Sequence, residues 1–226
     1  MGPEPSSRVV VVSGVSSGIG LATARELVSR GYRVFGTVRR SEDARRVRAE
    51  LGEGFQPLLL DVCDEQAVAA AVQQVRRALG GAPLAGLVNN AGTTVLGPLT
   101  ALDTAALRRQ FEANLFGLFE MTRRFLPLLR EPVKGASAGS RSGQPGRIVN
   151  ISSVSGRIAY PFFGAYAASK HAVEALSDSL RRELLPWGVA VILIEPGIVD
   201  TPLVEKSLAQ AEAFSRGEYA AAIAAT

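Results

Sequence analysis

Apolar and polar residues divide most of the chain into two alternating kinds of segment. Short runs rich in Val, Ile and Leu are followed by longer stretches in which apolar residues recur with helical spacing. The short runs predict buried parallel strands, and the longer stretches predict amphipathic helices. We predict strands at Arg8–Ser13, Arg33–Arg39, Phe55–Asp61, Gly86–Asn90, Arg147–Ser152 and Ala190–Glu195. We predict helices at Gly18–Arg30, Glu42–Leu51, Asp64–Leu79, Thr104–Leu129 and Ala165–Leu185.

This alternation of strand and helix is typical of repeated βαβ units. It predicts an α/β fold of three layers, a doubly wound, Rossmann-like parallel sheet. The length of 226 residues, 47% of them hydrophobic, suits a single domain over 1–226. Three segments lie outside the pattern: we expect a disordered tail at 1–7, a flexible Gly/Ser/Pro-rich loop at 131–146 and a substrate-loop region at 202–226.

Composition excludes several functional classes. The net charge of +4 comes from arginines scattered among acidic residues, without a basic block interleaved with aromatic residues, so we predict no nucleic-acid partner. No apolar run reaches the roughly 18 residues that a membrane span needs, and the N-terminus lacks a secretory signal. The single cysteine, Cys63, allows no intrachain disulfide, and we predict that it is buried and inert. These features predict a cytoplasmic protein, and we predict no metal site.

The first strand runs into a glycine-rich turn. In an open parallel sheet, ligands bind outside the carboxyl ends of the strands, so the residues after each strand are the candidate site. Glycines allow a tight turn and close approach of the backbone, and the following helix N-terminus offers free N–H groups to a pyrophosphate. An ordinary structural loop is the alternative explanation of this turn. The predicted dinucleotide contacts here are Gly14, Ser16, Ser17, Gly18, Ile19 and Gly20.

The next three strand ends continue the candidate cofactor site. Arg39 and Arg40 follow the second strand, where a guanidinium suits a ribose 2′-phosphate, so NADP(H) is favoured over NAD(H). The alternative is that these arginines only coat the surface. Asp61 and Val62 can grip and pack an adenine edge, whereas Asp64 can equally cap a helix. After the fourth strand, we expect the amides to tie neighbouring strands together and the small residues to admit a ligand: Asn89, Asn90, Ala91 and Gly92.

The fifth strand end leads to the residues with catalytic chemistry. Ser152 and Ser153 end the strand, and Tyr166 and Lys170 follow with a spacing that places both on one helix face. A nearby ammonium stabilises a phenolate, so Lys170 is expected to lower the pKa of Tyr166 toward the working pH. By itself a Tyr-x-x-x-Lys pair is more often an ordinary surface pair. Its position after a strand that ends in serine, beside a candidate dinucleotide turn, makes it a candidate catalytic pair.

These motifs together resemble those of the short-chain dehydrogenase/reductase family, from about Arg8 to Thr201. The resemblance rests on Ser13-Gly14-x-x-x-Gly18-Ile19-Gly20, Asn89-Asn90-Ala91-Gly92, Asn114, Ser153, Tyr166-x-x-x-Lys170 and Pro196-Gly197. Family members usually carry Thr where this chain has Ser13. The fragments around Gly31–Thr37 and Ile194–Gly197 are similar to those of members that act on alcohols and ketones of hydrophobic molecules, including steroid- and retinol-type enzymes.

The resemblance implies an oxidoreductase that interconverts an alcohol and a carbonyl by hydride transfer. Tyr166 would be the general acid or base, and Ser153 would hold the substrate oxygen. Lys170 would bind the nicotinamide ribose, and Asn114 would hold a water that links Lys170 to solvent. Tyr166 and Lys170 would also contact the cofactor. The nicotinamide end would be contacted by Pro196, Gly197, Val199 and Thr201.

The family resemblance also implies partners. We expect a hydrophobic alcohol or ketone as substrate, and a homodimer or homotetramer formed through the helices Thr104–Leu129 and Ala165–Leu185. Apolar residues in the first of these occupy more than one helical face: Leu115, Phe116, Leu118 and Phe119.

The chain departs from the family pattern by ending at Thr226, before a seventh strand. A missing C-terminal portion, a naturally short form, and an edge completed by a partner chain are three explanations, of which we favour the first. An alternative function is therefore a non-catalytic dinucleotide-binding sensor or interaction protein.

Overall fold

A computed structural model of the chain describes residues 8–130, 145–202 and Tyr219. Six strands form one parallel sheet: β1 Val9–Val12, β2 Arg33–Val38, β3 Phe55–Leu59, β4 Gly86–Asn89, β5 Arg147–Ile151 and β6 Ala190–Ile194. Within the described residues, six α-helices lie between the strands: α1 Gly18–Ser29, α2 Ser41–Leu51, α3 Glu65–Leu79, α4 Thr104–Phe111, α5 Gly117–Arg130 and α6 Gly164–Glu183. The predicted tail 1–7, most of the loop 131–146 and nearly all of 202–226 lie outside the described residues.

The strand order is β3-β2-β1-β4-β5-β6, so the direction of winding reverses between β1 and β4. The carboxyl ends of these two strands form the crevice in which doubly wound sheets bind ligands. The predicted α/β fold with a doubly wound parallel sheet is confirmed.

The buried strands explain the three layers. Successive side chains of a strand point to opposite faces, and in β1 both faces are buried. Val9 and Val11 belong to an apolar cluster with residues of α3 and α5, whereas Val10 and Val12 pack with residues of α1 and α2. Because helices cover both faces, the strands have the continuous apolar sequences that identified them.

The predicted single helix Thr104–Leu129 is wrong in its middle. A π-helical turn, Glu112–Phe116, separates α4 from α5. Asn114 lies in this turn, and its side chain makes tertiary hydrogen bonds to Thr93 and Ser169. Single π turns inside helices are frequent at functional sites, and here the contacts of Asn114 hold the turn in place. The helix after β5 also ends earlier than predicted, at Glu183, and a 3₁₀ turn, Leu185–Trp187, follows it.

Cys63 is exposed rather than buried as predicted, because it follows Val62 on the turn into α3. Partial desolvation, and then the charge of Asp61, raise the pKa of its thiol to about 12. The raised pKa of the thiol agrees with the expected low reactivity, whereas the exposure of Cys63 differs from the predicted burial.

No helix in the described residues is long and apolar enough to cross a membrane.

Candidate active site

The glycine-rich turn after β1 depends on the absence of side chains at Gly14 and Gly20. Gly14 has a φ of +71°, a conformation that residues with a side chain rarely adopt. At Gly20 a Cβ would lie 2.2 Å from the carbonyl oxygen of Gly14 and 2.3 Å from the amide nitrogen of Asn90. The turn therefore folds back on the first turn of α1, with the backbone closely packed.

Side chains from the neighbouring strands brace this turn. The Asn90 side-chain amide donates to the carbonyl oxygens of Ser13 and Gly14, at 2.9 and 3.0 Å. The Ser13 hydroxyl accepts from the backbone N–H groups of Asn90 and Ala91, each at 2.9 Å. From β2, the Thr37 hydroxyl accepts from the Gly14 N–H at 2.9 Å. Ser13 therefore performs a structural task that needs only a hydroxyl, and Thr37 is a supporting residue that the sequence analysis missed.

The start of α1 is open to an anion. Ser17 precedes the helix in an extended conformation, and its side chain accepts no hydrogen bond from the helix N–H groups described. No acidic residue lies in the first turn. By contrast, Asp64 and Asp103 cap α3 and α4 through their carboxylates. The N–H groups and dipole of α1 are thus left for a ligand phosphate, as the predicted dinucleotide site requires.

Thr201 lies directly against the glycine-rich turn. A Cβ added at Gly18 would come within 3.2 Å of the Thr201 Cγ2 atom. Because Thr201 comes from the segment that follows β6, this contact brings the two ends of the predicted cofactor site together. Pro196, in the same segment, accepts a hydrogen bond from the Val154 N–H at 3.0 Å.

The ends of β2 and β3 place charged groups beside the crevice. Arg39 is exposed, and its Nη1 atom lies 3.9 Å from Asp61 Oδ2, beyond hydrogen-bond range. The residues described here form no hydrogen bond to the Arg39 guanidinium, so its donors are available to a phosphate. Arg40 is the N-cap residue of α2 and is exposed, whereas Val62 is buried beside the Asp61 turn.

Arg46 is a further cation at this end of the site that the sequence analysis missed. It lies on α2, and its Nη2 atom donates to the carbonyl oxygen of Ser16 at 2.5 Å. Its other partner is Asp43, at 3.0 Å. No local pattern distinguishes Arg46 from its neighbours in the Arg-rich helix, because the contact depends on how α2 packs beside the turn.

Ser153 and Tyr166 meet where β5 and the start of α6 approach each other. Ser153 is buried, and its hydroxyl accepts from the Ser155 N–H at 3.1 Å. Burial raises the pKa of the Tyr166 phenol, and a side-chain hydrogen bond with Ser153 partly offsets this increase. The pair has the arrangement expected of an acid and of a hydroxyl that orients a substrate oxygen.

Lys170 lies close to Tyr166, one helical turn further along α6. Its Nζ atom donates to the Ile151 carbonyl oxygen at 2.8 Å and lies 5.7 Å from the centre of the Tyr166 ring. Burial lowers the pKa of Lys170 to about 8, while the charge of Glu174 opposes this decrease. The expectation that Lys170 lowers the pKa of Tyr166 is wrong. Burial of the phenol is the largest effect on this pKa and raises it. The Lys170 ammonium is directed to the Ile151 carbonyl oxygen instead.

Asn114 uses its side chain to hold the loop after β4. Its Oδ1 accepts from the Thr93 N–H at 2.8 Å, and its Nδ2 donates to the Thr93 carbonyl oxygen and the Ser169 hydroxyl, at 3.0 and 3.1 Å. A Cβ at Gly92 would lie 3.1 Å from the same Oδ1, so the small residue there leaves room for this contact. These bonds fix the π-helical turn against α6, and the implied water relay stays a prediction.

The strand ends thus bring together the residues predicted from the sequence. The glycine-rich turn, Asn90 and Ala91 form one contiguous unit, and Ser153, Tyr166 and Lys170 form a second. The segment of Pro196, Gly197, Val199 and Thr201 connects the two through its contacts with Val154 and Gly18. Arg39 and Arg40 remain exposed at the far end, beside Asp61.

Known proteins share this sequence and fold. The family model for short chain dehydrogenases matches residues 8–212. The chain is 39% identical to an NADPH-dependent 3-dehydrocapnine reductase from Ornithobacterium rhinotracheale, over 94% of this chain and 72% of that protein. It is 38% identical to human 17-beta-hydroxysteroid dehydrogenase type 6, over 86% of this chain and 57% of that protein. The chain thus spans between about half and three quarters of the length of these relatives.

A solved structure supports the same relationship. The crystal structure of a short-chain dehydrogenase from Streptomyces avermitilis superposes with a TM-score of 0.76 and 36% sequence identity, covering 87% of this chain and 68% of that one. The chain belongs to the short-chain dehydrogenase family.

Proposed function

We propose that the protein is an NADP(H)-dependent oxidoreductase that interconverts an alcohol and a carbonyl. The observation that carries this proposal is the group formed by Ser153, Tyr166 and Lys170, in which the Lys170 ammonium lies 5.7 Å from the centre of the phenol ring. The relatives described above are named as reductases or dehydrogenases, which supports the same activity.

The residues fit a dinucleotide cofactor. The turn at Gly14 and Gly20 leaves no space for side chains, and the open N-terminus of α1 offers N–H groups to a pyrophosphate. Ser16, Ser17 and Ile19 would line this turn, Asn90, Ala91 and Gly92 the middle of the cleft, and Asp61 and Val62 the adenine end. Tyr166, Lys170 and the segment Pro196, Gly197, Val199 and Thr201 would hold the nicotinamide riboside.

The chemistry divides between cofactor and protein. A bound nicotinamide supplies the hydride in reduction or accepts it in oxidation. Tyr166 donates its phenolic proton to the substrate carbonyl oxygen as negative charge develops there, and removes the hydroxyl proton in the reverse direction. Ser153 donates a hydrogen bond to the same oxygen. Lys170, whose ammonium lies 5.7 Å from the centre of the phenol ring, would bind the nicotinamide ribose.

The proposal is tested by oxidation of NADPH and NADH across a panel of carbonyl compounds. We expect NADPH oxidation with at least one ketone of low polarity. Binding of NADPH at micromolar concentration without turnover of any compound would instead favour the non-catalytic sensor, an alternative that the named relatives do not support.

A hydrophobic substrate is supported by the surface around Tyr166. Exposed apolar side chains lie in two segments. Ile158 and Tyr160 lie between Ser153 and α6, and Val199 follows β6. Leu99, which is also exposed, packs so closely on the start of α6 that a Cβ at Gly164 would lie 2.7 Å from it. Such a concentration of exposed apolar groups beside an acid and a cofactor cleft suits an apolar ligand.

Arg39 is proposed to select the phosphorylated cofactor. Replacing Arg39 by Ala should raise the Kd for NADPH roughly 10- to 100-fold and leave the Kd for NADH nearly unchanged, because the guanidinium pairs only with the 2′-phosphate. Quenching of protein fluorescence by each cofactor measures both constants.

The matched control for Arg39 is Arg45→Ala. Arg45 is an exposed arginine on α2 that pairs with Glu42 at 3.9 Å, so its loss removes the same charge without removing the proposed phosphate contact. Equal weakening of NADPH binding in both variants, or equal weakening of NADPH and NADH binding in Arg39→Ala, would contradict the assignment.

We also propose a homodimer or homotetramer formed through α4, α5 and α6. Phe116 and Phe119 are 53% and 41% exposed, although Leu118 between them is buried in the core. Phe119→Arg should convert the oligomer to a monomer, because it places a charge in the proposed apolar contact. Light scattering at micromolar concentration measures the mass.

The control for oligomerisation is Leu59→Arg, at an exposed apolar residue in β3, outside the proposed interface. It should keep the oligomeric mass. A monomeric wild type, or an oligomer that persists in Phe119→Arg, would count against this interface.

The predicted cytoplasmic location stays a prediction.

A further inference from the structure

Glu174 is a buried carboxylate on the helix face that carries the catalytic pair. Tyr166, Lys170 and Glu174 follow one another at intervals of four residues along α6, so they lie on one side of the helix. Glu174 is only 5% exposed. An ionised carboxylate this far from water is costly unless charged partners compensate it, which makes its surroundings informative.

Arg157 is the cation that compensates Glu174. Its Nη2 atom lies 2.9 Å from Glu174 Oε2 and 3.0 Å from Oε1 of Glu195, which follows β6. The Arg157 side chain is 55% exposed, so it reaches from solvent into the buried carboxylate. One guanidinium thus connects α6, which carries Tyr166 and Lys170, to the strand end that leads into the nicotinamide segment.

The carboxylate nevertheless retains unused acceptor capacity. Among the described residues, neither oxygen of Glu174 receives a properly directed hydrogen bond, and the buried Ser152 hydroxyl has no partner. The backbone of Gly156 packs against both groups: a Cβ there would lie 3.0 Å from Glu174 Oε1 and 2.8 Å from Ser152 Oγ. Glu174 is therefore held mainly by its ion pair with Arg157. Hydrogen bonds from the described residues do not reduce the negative charge on its oxygens.

Lys170 is the second cation on which this charge acts. Its ammonium donates to a neutral acceptor, the Ile151 carbonyl oxygen on β5. Burial lowers the pKa of Lys170, and Glu174 is the carboxylate among the described residues whose charge opposes that change.

The other polar and charged groups described around Lys170 and Glu174 do not supply the negative charge that Glu174 places near the Lys170 ammonium. On α6 these are the Tyr166 phenol and Asp178, and Asp178 is paired with Arg181. After β5 they are the hydroxyls of Ser152 and Ser153 together with Arg157, and after β6 the group is Glu195, bound to Arg157.

We propose that Glu174, held in place by Arg157, is a positioning residue that keeps the buried Lys170 ammonium charged. The proposal rests on the proposed function only for the importance of Lys170 in turnover. The charge of Lys170 depends on the protein alone, so it can be measured directly, without substrate and without activity.

The experiment follows the titration of Lys170 by NMR in protein labelled with ¹³Cε-lysine. The chain contains three lysines, Lys134, Lys170 and Lys206, so the spectrum is simple, and the Lys170 signal is the one missing in Lys170→Arg. In Glu174→Gln, which keeps the shape and removes the charge, the Lys170 midpoint should fall by about one pH unit. An unchanged midpoint would overturn the proposal.

Two further carboxylate variants test the role of charge. Glu174→Asp keeps a carboxylate and should restore most of the wild-type midpoint, which a purely structural role of the glutamate would not predict. Glu183→Gln removes an exposed carboxylate at the end of α6 and should leave the midpoint unchanged. A fall in Glu183→Gln equal to that in Glu174→Gln would also overturn the proposal.

A double variant guards against a folding defect. Glu174→Gln leaves Arg157 without its buried partner, whereas Glu174→Gln combined with Arg157→Gln removes both charges together. A smaller fall of the Lys170 midpoint is expected in the folded double variant, because loss of the Arg157 cation offsets part of the loss of the carboxylate, and a midpoint at or above that of the single variant Arg157→Gln would contradict the proposal. Failure of the wild type to oxidise NADPH with any carbonyl would instead reject the proposed function, because the Lys170 titration does not depend on turnover.

Discussion

Tyr166→Phe should lower kcat/KM for carbonyl reduction by roughly 10²- to 10⁴-fold, the usual contribution of a general acid. The substitution removes the phenolic proton but keeps the ring that lies near Lys170. The Kd for NADPH should therefore change little. Steady-state kinetics with the best carbonyl of the panel, together with fluorescence titration of NADPH, measure the two effects separately.

The direction of the Tyr166 pKa shift favours the form of the phenol that reduction needs. Burial raises the pKa of the phenol, so at neutral pH the protonated form is favoured, and this is the form that donates a proton to a carbonyl. Lys170, with its pKa lowered to about 8, is mostly charged at neutral pH and loses its charge as the pH rises through that value. At neutral pH both groups are thus in the state that reduction needs.

The matched control for Tyr166 is Tyr32→Phe. Tyr32 follows α1 and lies under Arg8, whose guanidinium carbon is 5.1 Å from the centre of its ring, outside the candidate site. This variant should keep wild-type kinetics. Wild-type turnover in Tyr166→Phe would reject Tyr166 as the proton-transfer residue, even if the overall reaction is the one proposed.

Gly20→Ala should abolish NADPH binding in the micromolar range, with a loss of roughly 100-fold or more in affinity. The added methyl group would meet the Gly14 carbonyl oxygen at 2.2 Å, and this contact can be relieved only by moving the backbone of the turn or the first turn of α1. Overpacking of this kind costs about 1–3 kcal/mol, and here the strain falls on the backbone that receives the pyrophosphate. Fluorescence titration measures the affinity, and thermal unfolding measures the strain.

Gly86→Ala provides the control for Gly20→Ala. Gly86 lies in β4, and a Cβ there would meet its nearest atom, the Arg147 carbonyl oxygen, at 3.5 Å, an ordinary contact. It should bind NADPH like the wild type. If Gly20→Ala binds NADPH as tightly as Gly86→Ala does, then the turn is not the pyrophosphate site.

The candidate site could be predicted in outline because it follows from local patterns. Strands buried on both faces have continuous apolar sequences, and the residues that break these sequences mark the strand ends. In a parallel sheet all carboxyl ends lie at one edge, so Gly14, Asn90 and Ser153 were expected at the same edge of the sheet once the strands were identified. The hydrogen bonds of Asn90 with Ser13 and Gly14 agree with this reasoning.

The π-helical turn shows where local pattern fails. The segment from Thr104 to Leu129 has helical periodicity throughout, and one extra residue in a turn hardly disturbs it. The interruption depends on Asn114 reaching both Thr93 and Ser169, which are distant in sequence. Only the packed helix and loop decide that these bonds outweigh the regular helix geometry.

The sequence by itself determined the order of strands and helices along the chain and the position of the glycine-rich turn, which follow from residue type and short-range spacing. The family resemblance of the sequence predicted Ser153, Tyr166 and Lys170 as catalytic residues. The tertiary structure decided the electrostatics: the raised pKa of Tyr166, the lowered pKa of Lys170 and the burial of Glu174 beside Arg157. Charge states depend on desolvation and on partners brought together by folding, and spacing along the chain carries neither.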